Sequence, residues 1–169
     1  MKKPIVILLM AIPIFINLIA WAEPIGFRSL QWGEHVNHSQ FNCTIYEDDK
    51  NLANCSKKGE NLSIGGAELK HISYFLYKDM LESVFITVGG YDNSQQVFKS
   101  FQMNYGEGYP KYKNTYSQDD WQWNTNDVFI SYTYDTYKCQ SVFIILSKKM
   151  SEFKKHDLDN AITNSSKDF

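Results

Sequence analysis

The sequence lacks most of the features that mark common sites of chemistry. It has no nucleophile elbow, no glycine-rich phosphate-binding loop and no Ser, His and Asp in the order of a catalytic triad. It has no basic patch or arginine-rich stretch, and 19 acidic residues outnumber 17 basic ones. We therefore expect no cofactor, and nucleic acid and anionic membrane surfaces are disfavoured as partners.

Long apolar runs are also absent, except at the start of the chain. Lys2 and Lys3 precede an apolar run over 5–19, and Ala20-Trp21-Ala22 follows it. This layout is typical of a bacterial secretory signal peptide cleaved near Ala22. The alternative is a retained membrane anchor, but the run of about 15 residues is short against the roughly 20 that span a bilayer. The sequence therefore predicts a periplasmic or secreted protein with no integral membrane segment after cleavage.

Cleavage would leave 147 of the 169 residues, a length that suits one domain. Loss of the two N-terminal lysines changes the formal net charge from −2 to −4. We expect a signal peptide at 1–22, one domain at 23–157 and a disordered tail at 158–169, because the last stretch is polar.

The hydrophobic pattern predicts an α+β fold, with an antiparallel sheet of about six strands and one main helix packed on a face. The main helix is indicated by Val97, Phe98, Phe101 and Tyr105 at helical spacing, with Asn93 or Ser94 as its cap. A short C-terminal helix is predicted over 148–156. The strongest strand pair is 70–77 with 81–88. Further strands are predicted at 27–32, on either side of Asp49, and at 121–124, 128–134 and 141–146.

The three cysteines, Cys43, Cys55 and Cys139, are expected to meet an oxidising compartment. In a hairpin centred on Asp49, Cys43 and Cys55 are directly opposite, with Cβ atoms about 4.5–5.5 Å apart. That distance is close enough for a bridge after a modest adjustment, so the spacing favours a Cys43–Cys55 disulfide. A bridge from either residue to Cys139, or three free thiols, are the alternatives. Cys139 has no neighbouring histidine, so we expect it to be a buried structural thiol rather than a nucleophile.

Two further groups have the residue types of a site but a weak pattern. His35 and His38 form H-x-x-H near Cys43, but a second ligand pair is missing, so we predict a polar surface loop and no metal. Asp119 and Asp120 form an acidic cluster in polar sequence, where solvated loop acids are the favoured interpretation.

Aromatic residues are concentrated between 105 and 137. Tyr and Trp combine apolar area with a hydrogen-bonding tip, and they are enriched at interfaces. More than half of them are expected in the core or at sheet edges. The candidates for contact with a partner are Tyr109, Tyr112, Tyr116, Trp121 and Trp123.

The stretch F-R-S-L-Q-W-G at 27–33 resembles the start of a group of small exported bacterial proteins whose mature chains begin F-R-x-[IL]-x-W-G. The resemblance continues through N-L-S-I-G-G at 61–66, I-S-Y-F at 72–75 and Tyr105-Gly106. It implies an exported α+β domain and transfers no catalytic residue, because the group has no assigned activity. After Gly33 the chain departs from the group, since a clearer helix is expected there.

The leading hypothesis is an exported, non-enzymatic binding module for a protein partner or cell-envelope component, acting as an inhibitor or envelope accessory protein. The alternative is a small cell-wall or glycan hydrolase with Asp119, Asp120 or Glu34 as its acids. A metal-binding protein using His35 and His38 is a weaker third hypothesis.

Overall fold

A computed structural model describes residues 25–111 and 119–165. The predicted signal peptide and its cleavage site lie outside this part of the chain. The strands are β1 (Gly26–Phe27), β2 (Leu30–Gln31), β3 (Phe41–Ile45), β4 (Leu52–Lys57), β5 (Ser63–Ile64), β6 (Ala67–Glu68), β7 (His71–Tyr77), β8 (Met80–Gly89), β9 (Tyr109–Pro110), β10 (Asp119–Asn124), β11 (Val128–Asp135) and β12 (Gln140–Ser147). The helices are α1 (Tyr91–Tyr105) and α2 (Lys148–Ser165), and a 3-10 turn covers His38–Gln40.

The main sheet has eight antiparallel strands in the order β3-β4-β7-β8-β12-β11-β10-β9. Two four-stranded meanders meet in it, because the last strand of the first, β8, pairs with the last strand of the second, β12. The α+β class is confirmed, but the sheet is larger than the six strands predicted. The predicted hairpin around Asp49 forms β3 and β4 at one edge of the sheet, and the two-residue β9, which the sequence does not predict, lies at the other edge. The predicted strand at 27–32 instead forms the separate β1–β2 hairpin, because Arg28 turns the chain with a φ of 55°.

Helix α1 covers one face of this sheet and is the predicted main helix. Val97, Phe98 and Phe101 are buried, as their helical spacing requires. Phe101 stacks on Phe143 of β12 with ring centroids 4.5 Å apart. The helix begins at Tyr91, earlier than predicted, because Gly90 takes the N-cap position and the Ser94 hydroxyl donates back to the Gly90 carbonyl.

The C-terminal helix is present but is much longer than predicted. It continues to Ser165, so 158–165 are helical where the sequence predicts a disordered tail. Met150 is buried at its start and Phe153 packs edge-on against Tyr77. Residues 158–164 are exposed, and the Thr163 hydroxyl donates to the Asp159 carbonyl within this part of the helix. No helix in the described ranges has the length and apolar character needed to cross a membrane.

The predicted disulfide is confirmed. Cys43 and Cys55 are directly opposite in the β3–β4 ladder and are bonded. The prediction for Cys139 is wrong, because this cysteine is exposed and unbridged. It lies in the tight connection between β11 and β12 with a φ of 47°, and its thiol donates to the Thr136 carbonyl at 3.4 Å.

Candidate functional site

We call the face of the main sheet opposite α1 the outer face. Within residues 25–111 and 119–165, no helix packs over its centre. Side chains alternate between the two faces of a strand, and residues paired across a ladder share a face. The centre of the outer face consists of six partly exposed apolar side chains: Phe75, Phe85, Phe129, Val142, Ile144 and Leu146.

The strand register brings these residues into adjacent rows. In one row, Phe85 of β8 lies between Ser73 and Ile144. In the next row, Phe75 of β7 is opposite Ser83, and Ser83 is opposite Leu146. The rings of Phe75 and Phe85 lie 4.5 Å apart between centroids, with serine as the ladder partner of each.

Neutral polar side chains border this centre on two sides. On the β3–β4 side they are Asn42, Thr44, Asn54, Ser56 and His71. On the β9–β11 side they are Gln122, Asn124, Ser131 and Thr133, and the charged Asp120 lies beside them. Charged side chains stand near the strand ends: Asp120 is opposite Thr133, and Asp135 is opposite Gln140, whose side chain accepts from Lys70. The six apolar side chains at the centre carry no formal charge, although 21% of the chain is charged.

Polar contacts hold α2 across one end of the outer face. The Tyr77 hydroxyl donates to the Asp157 carboxylate, which also pairs with Lys78 at 2.6 Å. The Lys78 hydrogen bond and then the Tyr77 hydrogen bond lower the pKa of Asp157. Burial, with the Asp157 hydrogen bond, raises the pKa of Tyr77 to about 12. These contacts lie at the β7–β8 turn, so the helix leaves the centre of the face uncovered.

Three of the predicted aromatic partner residues lie in the described ranges, and they have different surroundings. Trp123 is only 2% exposed and its indole N–H donates to the Gly106 carbonyl at 2.8 Å, so it belongs to the core beneath α1. Trp121 is partly buried against Phe98. Tyr109 is exposed and lies opposite Gln122, which places it at the border of the outer face. Tyr112 and Tyr116 lie outside the described residues.

The carboxylates predicted for a hydrolase are not brought together. The Glu34 carbonyl accepts from Leu81 near the start of β8, and its carboxylate accepts from the Gln31 backbone. Asp120 is opposite Thr133, in the row that continues through Val142 to Thr87. Glu34 is thus beside Leu81, and Asp120 is in the row of Thr87. Because these two residues of β8 are six positions apart, Glu34 and Asp120 are separated by roughly 20 Å along the strand direction. Nothing is described of the Asp119 side chain.

The two histidines of the H-x-x-H pattern have separate neighbours. His38 Nε2 lies 3.0 Å from Asp79 Oδ1, and His35 forms an isolated bridge with Met80. Across 25–111 and 119–165, no three His, Cys, Asp or Glu side chains are grouped so as to hold a metal ion.

The sequence motifs that carry the family resemblance meet in one place. Arg28 forms an ion pair with Glu60 and donates to the carbonyls of Asn61 and Ser63. Tyr74 donates to the other Glu60 oxygen at 2.6 Å. Burial raises the pKa of Tyr74 to about 12, and the Arg28 charge opposes that shift. This cluster ties the N-terminal loop to β7, and its polar groups are used by the fold rather than directed to solvent.

No protein family, curated protein or solved structure gives a significant match to this chain. The fold and the site define an α+β chain with a disulfide-linked hairpin and a sheet face whose apolar centre is not covered by any helix of the described ranges.

Proposed function

We propose that this protein is an exported, non-enzymatic binding module that engages a protein partner through the outer face. The observation that carries the proposal is the apolar centre of that face, which carries no formal charge and is bordered mainly by polar side chains. Export remains a prediction from the N-terminal sequence. The Cys43–Cys55 disulfide supports it, because such bonds persist in oxidising compartments.

The anatomy of the outer face is that of a protein interface. Interface centres are depleted of charge and enriched in aromatic residues, and a polar border surrounds them. Contiguous apolar patches on a protein surface commonly mark interaction sites. Phe75 and Phe85 lie near the middle of the outer face, where the residues that dominate binding energy are usually found.

This proposal relocates the partner surface suggested by the sequence. Of the five predicted contact residues, Tyr109 fits the outer face, while the buried indole of Trp123 is unavailable to a partner. The partly exposed phenylalanines of β7 and β8 take the central role instead.

Site-specific photo-crosslinking in the expressing cell tests the proposal. A photoreactive residue replacing Thr87, which lies on the outer face between His71 and Val142, should give one dominant crosslinked protein. The same residue replacing Met103, exposed on α1 at the opposite face, should not capture that protein. Capture of the same protein at both positions, or of no protein at Thr87, would contradict the proposal.

Affinity measurement with the captured partner then tests the central residues. Phe85→Ala should weaken binding by about 30-fold, the effect of losing roughly 2 kcal/mol at a central aromatic contact. Tyr137→Ala is the control, since that ring is exposed in the β11–β12 connection, away from the centre of the outer face. Equal affinities for the two variants would place the interface elsewhere.

A further inference from the structure

Beside the apolar centre, an open polar trough of about 530 Å³ lies on the β3–β4 side of the sheet. The side chains that line it from the outer face are Asn42, Thr44, Asn54, Ser56 and His71. No Lys, Arg, Asp or Glu lines it. The trough therefore offers hydrogen bonds without a fixed charge.

These five side chains are not used by the fold. None of them makes a hydrogen bond or ion pair with another residue of the described ranges. Some other asparagines are engaged by the fold: the Asn37 side-chain carbonyl accepts from the Ser39 backbone N–H, and the Asn104 amide donates to the Ser100 carbonyl. Asn42 and Asn54 each keep two donors and a carbonyl acceptor available.

An aromatic surface adjoins the trough. Asn54 of β4 is directly opposite Phe75 of β7, and Phe85 lies beside Phe75. A pyranose ring has an apolar C–H face and a periphery of hydroxyl groups. Such a ring can be held by an aromatic side chain beside neutral groups that both donate and accept hydrogen bonds. The trough supplies the neutral groups, and the partly exposed Phe75 borders the trough without lining it.

We infer that the trough is a saccharide site, which binds a neutral oligosaccharide with one sugar ring against Phe75 and its hydroxyl groups bonded to Asn42, Asn54 and Ser56. Anionic sugars are disfavoured, because no cationic side chain lines the trough. This inference uses the same face as the proposed protein interface but does not depend on a protein partner.

Titration of the purified chain with three tetrasaccharides, followed by amide NMR shifts, tests this site. Cellotetraose and chitotetraose are neutral and differ in their acetamido groups, and a heparin tetrasaccharide is anionic. At least one neutral probe should bind with a Kd of about 0.1–1 mM, the weak range expected for a shallow open site. Shifts should appear in β3, β4 and β7, and heparin should bind at least tenfold more weakly.

Two matched variants locate the binding. Asn54→Ala should weaken the neutral probe at least tenfold, while Asn124→Ala should keep its Kd within twofold. Asn124 is the same residue type, on the same face but at the opposite border. If Asn54→Ala alters the unfolding midpoint, Asn42→Ala on the exposed edge strand replaces it.

Three results would overturn the inference: no binding of either neutral probe, stronger binding of heparin, or equal affinities for the Asn54 and Asn124 variants. The crosslinking result at Thr87 is read separately, so failure of the saccharide site leaves the protein interface standing.

Discussion

The two meanders of the main sheet have the same number of strands but are covered in different ways. The first half comprises β3, β4, β7 and β8, and the second half comprises β9, β10, β11 and β12. Over the second half, Phe98 and Phe101 of α1 reach rings in β10, β11 and β12, so one helix supplies a continuous aromatic core.

The first half has a cover of loops. Phe27 of the N-terminal segment and Phe41 at the start of β3 both contact Tyr74. Arg28 and Glu60 add polar contacts, and Cys43–Cys55 links the two edge strands. Loops cost conformational entropy to order and bury fewer rings than a helix does. The comparison indicates that covalent and polar ties in the first half substitute for the packing that α1 supplies in the second.

The largest expected effect breaks the packing of the second half. Phe101→Ala removes a ring that contacts Phe143, Trp123 and Tyr105, and it should lower the free energy of unfolding by about 3–5 kcal/mol. Urea unfolding measures the loss. Met103→Ala on the same helix is the control, because its side chain is 71% exposed and the change should be within 0.5 kcal/mol. Similar losses in the two variants would mean that α1 does not form the core described.

The next effect is specific to the first half. Replacing Cys43 and Cys55 by serine opens the loop that the disulfide closes between residues 12 positions apart. The free energy of unfolding should fall by about 2–3 kcal/mol. Cys139→Ser is the matched control, since this exposed thiol has no bridge, and its effect should be negligible. A double variant as stable as Cys139→Ser would show that the first half does not rely on its crosslink.

Local sequence signals predict some of this fold. The Asp49 turn fixes the register that pairs Cys43 with Cys55, and the spacing of Val97, Phe98 and Phe101 fixes the face of α1. The cysteine pairing and the buried face of α1 each depend on residues within about a dozen positions of one another.

The outer face could not be predicted in the same way. Phe85 and Ile144 become neighbours only because β8 pairs with β12 across the junction of the two meanders. The nearly all-apolar sequence of β12 indicates a central strand, which the structure shows, but not that one of its faces lacks a helix. The burial of Trp123 could not be predicted for a related reason. An aromatic residue in an alternating strand suits either face, and only the position of α1 decides between them.

The smallest expected effect comes from removing the hydroxyl group of one tyrosine in each half of the molecule. Tyr74 in the first half donates to Glu60, so Tyr74→Phe at pH 8 should cost about 1–2 kcal/mol. Tyr105, at the end of α1, has no hydrogen bond from its hydroxyl to any residue in the described ranges, so Tyr105→Phe should cost less.

Burial raises the pKa of both tyrosines from 10.0 to about 12. The unfolded chain therefore loses these protons first, and stability should fall as the pH rises from about 10 towards 12. Urea unfolding between pH 8 and 11.5, in a Cys139→Ser background that prevents thiol exchange, should show a shallower fall for each variant than for the parent. A fall as steep in Tyr74→Phe as in the parent would contradict the burial of this hydroxyl. Equal costs at pH 8 would contradict the greater dependence of the first half on polar contacts.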